Sequence, residues 1–223
     1  MDTKTYNVNL KAKKTSWGGL AFNLSKNGKL LGGVNKPMDS EMALILTNEK
    51  HLMDQFYNPY ENLEYIPDEF ILAPDLTTCQ EMFAYGTSLK SINLSLFDTS
   101  NMTSLYWMFA WCESLLEVDV SSFNTSKVTH FGGVFMNCHA LKSLDLTSWD
   151  TSNGKFFSNM FSQCYELEEI KGVIDITKAG TGFSGMFGNC DKLKQIKIKA
   201  TPDQQRYFRS TAELNSSTEV IFV

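Results

Sequence analysis

One interval governs this sequence. Cys112, Cys138, Cys164 and Cys190 stand 26 residues apart, and one further step back lands on Gly86. Three residues before each point is a phenylalanine (Phe83, Phe109, Phe135, Phe161, Phe187), and three after is a leucine (Leu89, Leu115, Leu141, Leu167, Leu193). An aliphatic column follows at Ile92, Val118, Leu144, Ile170 and Ile196, and a weaker copy precedes at Tyr57, Leu63 and Ile66. Self-similarity of this kind is the mark of stacked repeats, in which equivalent side chains one repeat apart touch.

Within the unit 97–122, Met102, Leu105, Met108 and Phe109 keep helical spacing behind a cap at Ser100 or Asn101. They predict a short helical or 3₁₀ segment. Val118 and Val120 alternate with Glu117, Asp119 and Ser121, which predicts a short strand with one face inward. The recurring Asp-Thr-Ser at 98 and 150, with Asn-Thr-Ser at 124, supplies turn chemistry. A unit this small cannot bury its own apolar face. Stacking cures that, with strands pairing in parallel about 4.8 Å apart.

The string F-x-x-C-x-x-L-x-x-[IVL]-x-[IVL] resembles the leucine-rich repeats of BspA-like bacterial surface proteins. The flanking F-D-T-S-N-M-T…M-F…C…L…V-D-V-S-S-F is similar to their relative, the repeat of unknown function in bacterial surface lipoproteins. The likeness covers roughly residues 70 to 200. It implies an α/β repeat solenoid, a leucine-rich-repeat-like right-handed coil with parallel strands on one face and short helical or 3₁₀ segments opposite. It also implies surface adhesion or host-protein binding, at the cell surface or outside the cell.

Three regions are expected: a β-rich cap or attachment region at 1–50, about six units over 51–200, and a helix-strand cap at 201–223. Tyr6, Val8 and Leu10 alternate as a strand does, and Asn27-Gly28 between two apolar runs signals a hairpin. Thr201-Pro202 before DQQRYFRSTAEL reads as a cap, a first-turn proline and a helix. TEVIFV follows as a last strand, with Phe222 26 residues beyond Ile196.

Composition narrows the function. A net charge of −5 and a pI near 5.3 leave no basic footprint for nucleic acid. No apolar run reaches the roughly 18 residues needed to span a bilayer, and MDTKTYNVNLKAKK lacks the apolar core of a signal peptide. Zinc ligands gather two to four residues apart, whereas these cysteines are 26 apart, so they are expected to be buried filling. Cys138 and His139 adjoin, but neighbours in sequence rarely face each other. No catalytic, cofactor-binding or metal-ligating residue is assigned.

The outward strand positions change from polar and acidic to basic along the stack: Asn93, Glu117, Asp119, Asp145, Glu169, Lys171 and Lys197. Either this is a solvated face that discourages aggregation, or it is a recognition surface whose gradient orients a partner. Trp107 and Trp111 join these candidates, because Trp111 and Tyr85 share a column with Asn137, Gln163 and Asn189 and so are not deep core; the alternative, favoured by their place in early repeats, is that they pack against the amino-terminal cap. The expected function is non-enzymatic binding of a protein or glycan, with no cofactor. The alternative is a structural or display component of a surface complex, or of a virus particle assembled inside the cell, attached through residues 1–50.

Overall fold

The computed structural model describes residues 77–92, 94 and 97–223, together with the backbone of four earlier strands. Those strands are β1 (Leu20–Ser25), β2 (Leu30–Gly32), β3 (Met42–Thr47) and β4 (Phe70–Leu72), in the order β2-β1-β3-β4. β1 and β2 pair antiparallel, as the Asn27-Gly28 signal between them requires, and β4 runs parallel to β3. The strand expected at Tyr6, Val8 and Leu10, and the weak copy at Tyr57, Leu63 and Ile66, lie outside the described residues.

From residue 77 onward, equivalent side chains meet one repeat apart. Phe83, Phe109, Phe135, Phe161 and Phe187 are buried and form one column of rings, with successive centroids 5.4, 5.4, 5.9 and 5.3 Å apart. Phe97, Phe123 and Trp149 form a second column at 6.1 Å spacing. Offset rings at these distances add attraction to the area they bury. The leucine and cysteine columns fill the space between them, and all belong to one continuous core.

Threonine joins the layers as well. Thr125 is 1% exposed; its Oγ1 donates to the Asp150 carbonyl (3.0 Å) and accepts the Asp150 N–H (2.8 Å). Thr99 does the same for Asn124, and Thr151 Oγ1 accepts the Asp175 N–H. The aspartates and asparagine of these motifs work within a layer instead. Asp98, Asn124 and Asp150 each accept the backbone N–H two residues on.

The expected helical segments are not helices. At 79–86 and its equivalents the chain forms successive tight turns. Alternate N–H groups donate sideways to the next layer: Glu81 to Tyr106 O, Phe83 to Met108 O and Tyr85 to Ala110 O, at 2.7–2.8 Å. The remaining N–H groups close four-residue turns, such as Ala84 to Glu81 O and Gly86 to Phe83 O. An α-helix would spend all these donors internally. Two columns hold positive φ as a result: Glu81, Trp107, Gly133, Asn159 and Gly185 in one, and Tyr85, Trp111, Asn137, Gln163 and Asn189 in the other. The glycines and asparagines there are the residues that tolerate this conformation.

On the opposite run the strands are short: β5 (Ser143–Asp145), β6 (Glu169–Lys171), β7 (Val173–Asp175), β8 (Gln195–Lys199) and β9 (Glu219–Phe222). The strand expected at 118–120 is not formed, although Leu116 N–H still donates to Lys90 O at 2.9 Å. β6 pairs with β5, whereas β7 pairs with β8 and β8 with β9, all in parallel. Gly172 lies between β6 and β7 with φ +103, and a Cβ there would sit 2.8 Å from the Leu146 carbonyl. Only glycine fits such a bend. The register slips by two residues across it.

A helix and a strand follow the last layer. α1 (Pro202–Thr211) starts with a capping box between Thr201 and Gln204. Gln204 Nε2 also donates to Ile176 O and Gly180 O, and Phe208 packs on Phe183 and Phe187. Gly185 and Phe187 donate their N–H groups to Thr211 O and Ala212 O, so the helix end accepts the last sideways bonds. β9 continues the sheet, but Val220 stands opposite Ile196 and Phe222 opposite Ile198. The interval from β8 to β9 is 24 residues rather than 26, which displaces Phe222 from its expected partner.

Candidate functional site

Asn93 lies outside the described residues. Glu117, Asp119, Asp145, Glu169, Lys171 and Lys197 are exposed, and β5–β6 pairing sets Asp145 opposite Lys171 and Ser143 opposite Glu169. The columns do not run on unbroken. Beyond Gly172, Lys197 faces Val173 and Lys199 faces Asp175, not Lys171 and Val173 as the uniform interval predicts.

Because β6 joins β5 while β8 joins β7 and β9, β6 and β8 lie side by side in different sheets. A groove of about 730 Å³ opens over this split. Lys142, Lys171, Lys194 and Lys197 line it against Glu168 and Glu169, with buried Ile170 and Ile196 beneath. Lys194 binds Glu168, whose carboxyl is thereby held below its usual range, and Lys171 reaches Glu169 at 3.9 Å. Lys142 and Lys197 make no ion pair among the described residues. The groove is therefore cationic in a chain of net charge −5.

At the acidic end of the face the two aspartates also serve the backbone. Asp119 Oδ1 accepts the Ser121 N–H (2.9 Å) and Asp145 Oδ1 accepts the Thr147 N–H (3.0 Å), bonds that hold both carboxyls below their usual range. They cap the turns after the strand run. Lys142, Glu168 and Lys194 escape a reading confined to the alternating strand positions. They occupy the neighbouring column, which runs from Lys90 through Leu116 and keeps the same interval.

Trp107 and Trp111 lie on the turn segments, half-buried, with centroids 5.0 Å apart. Trp111 stacks on Tyr85 at 4.7 Å and Trp107 on Tyr106 at 4.9 Å. Tyr106 meets His130 at 4.8 Å, and His130 stacks on Phe156 at 4.9 Å. His130 and Phe156 share a column whose other members include Ser104 and Gly182, and Tyr106 stands between Gln80 and Gly132 in its own, so no unbroken aromatic column announces them. Burial pulls the His130 ring below its ordinary pKa, and its Nδ1 accepts the Gly132 N–H.

The thiols are sealed in. Cys112, Cys138, Cys164 and Cys190 donate Sγ–H to Phe83 O, Phe109 O, Phe135 O and Phe161 O at 2.9–3.2 Å. Burial pushes Cys112 up to about 12, and raises Cys79, Cys138 and Cys164 as well. The His139 ring stacks on Tyr165 and contacts Asn137, while the Cys138 sulfur points at Phe109 O. Among the described residues no three His, Cys, Asp or Glu side chains are placed to hold a metal ion. Iodoacetamide at neutral pH is expected to modify none of the five cysteines in the folded chain and all five in denaturant, read by intact mass. Native labelling of Cys138 contradicts this burial.

A family model described as "Mycoplasma protein of unknown function, DUF285" matches residues 77–201, the span of the turn and strand ladders. No curated protein and no solved structure matches the chain.

Proposed function

The chain belongs to the DUF285 family of Mycoplasma proteins of unknown function, and from that premise we propose that it is a non-enzymatic binding module of leucine-rich-repeat-like solenoid form. Its ligand is a protein, met on the strand face at the groove over β6 and β8. The observation that carries this reading is the groove itself. Four lysines and two glutamates line a concavity that exists because the ladder splits at Gly172. A merely solvated face needs no such split, and a row of charges alternating in sign would discourage aggregation equally well. The likeness to BspA-like repeats supports adhesion as the setting.

Rim charges steer and select partners more than they add affinity. The excess of lysine favours an acidic segment of the partner. The test is a peptide array probed with the full chain and with Lys171→Glu/Lys197→Glu. These lysines cap no turn, so the fold is expected to stand. The parent is expected to select acidic peptides and to lose at least about tenfold in affinity on reversal, equivalent to about 1.4 kcal/mol. Peptides bound equally by both proteins place the ligand elsewhere.

A further inference from the structure

We propose a second binding surface, distinct from the strand face: Tyr106, Trp107, Trp111, His130 and Phe156 form a strip on the turn segments that takes a neutral glycan chain. It does not depend on the groove reading above, and either can fail without the other.

The strip is continuous. From Trp111 through Trp107, Tyr106 and His130 to Phe156, every neighbouring pair of ring centroids lies within 5.0 Å. Phe156 is 49% exposed and the other four are half-buried. The repeat does not call for these rings. The position of Trp107 is Gly133, Asn159 and Gly185 in later layers, and that of Trp111 is Asn137, Gln163 and Asn189. Both tryptophans sit at positive φ, +55 and +60. A bulky side chain is disfavoured there, and a local conflict of this kind points to a purpose beyond folding. The next layer makes room for them. A Cβ on Gly133 would lie 2.3 Å from Trp107 Cδ1, and one on Gly132 would lie 3.3 Å from Tyr106 Cδ2.

The chemistry selects the occupant. A sugar ring has a flat face of polarised C–H bonds, which suits the electron-rich face of an aromatic ring. Its hydroxyls suit amide side chains, and beyond the buried Asn137 the Trp111 column continues as Gln163 and Asn189. None of the five strip residues carries a fixed charge, and burial favours the neutral form of His130. Glu81, whose charge reaches Tyr106, is only 4% exposed. An anionic or cationic ligand finds no counter-charge on the strip, whereas a neutral oligosaccharide needs none.

The test is isothermal titration calorimetry of the full chain with chitohexaose, cellohexaose, maltohexaose and mannohexaose, and with a proline-rich peptide as the competing occupant. At least one hexasaccharide is expected to bind. Trp107→Asn and Trp111→Asn, which install residues the same columns already hold, are expected to weaken it at least about tenfold. Trp111→Tyr, which repeats Tyr85 of the layer before, is expected to restore it. Phe156→Ser, which repeats Ser104, removes an exposed ring and serves where an asparagine variant fails to melt cooperatively. Binding of no hexasaccharide overturns the proposal. So do folded variants that bind as tightly as the parent, and so does binding of the proline-rich peptide alone.

Discussion

Phe135→Ala is expected to lower the unfolding free energy by about 3–5 kcal/mol, the range for emptying a fully buried phenylalanine site. Phe135 lies in the middle of its column, with Phe109 at 5.4 Å and Phe161 at 5.9 Å, and Trp149 at 6.2 Å beside it. The neighbours on both sides are rings whose own partners lie one layer further out. Collapse into the hole must therefore pull two layers together against hydrogen bonds that fix their spacing, and the cavity stays largely open. In a linear array each layer touches only its neighbours, so a weak middle layer also divides the stack. Urea unfolding followed by circular dichroism is expected to show the loss, with a broader transition. A loss below about 1 kcal/mol, a value typical of ordinary substitutions, means that the ring column does not hold the layers together.

Thr125→Val is expected to cost about 2–4 kcal/mol, although the two side chains have nearly the same shape. Valine fills the space but removes the hydroxyl that serves both the N–H and the C=O of Asp150. A backbone group left without a partner where water is kept out costs about 1–3 kcal/mol, and Thr125, which covers the Asp150 backbone from the inner side, is 1% exposed. Ser148→Ala, at an exposed position, is the control and is expected to stay within about 0.5 kcal/mol. The same urea titration decides. If the two variants are equally mild, threonine bridging is incidental and the layers are joined by ring packing and the backbone ladders.

These two residues differ in how openly the sequence shows them. Phe135 announces itself because its column never breaks. Thr125 recurs just as faithfully within Asp-Thr-Ser and Asn-Thr-Ser, yet such triplets suggest local turns. The aspartates do make local turns; the threonine between them reaches the next layer, and spacing alone does not separate the two roles. The capping box at Thr201 and Gln204 was legible for the opposite reason, since both of its bonds lie within four residues.

The missed helices have a similar cause. Met108 and Phe109 at helical spacing describe which side chains turn inward, and successive tight turns produce the same spacing. The clue lay in the glycines and asparagines at 133, 137, 159, 185 and 189, residues that favour the positive φ the turns require. The groove was hidden more deeply. Lys142, Glu168 and Lys194 fall outside the alternating strand positions, and Gly172 reads as an interruption without disclosing a two-residue slip.

Sequence alone determined which side chains pile into columns, because an unvarying interval leaves equivalent residues no other neighbours to bury against. It determined the closing helix as well, through short-range bonds. Tertiary structure decided where the backbone donors go. Whether an N–H turns back along its own chain or reaches sideways depends on an adjacent layer already in place, and no single repeat contains that layer. That choice replaced helices with turns, split the ladder at Gly172, and brought rings from four different columns into one strip.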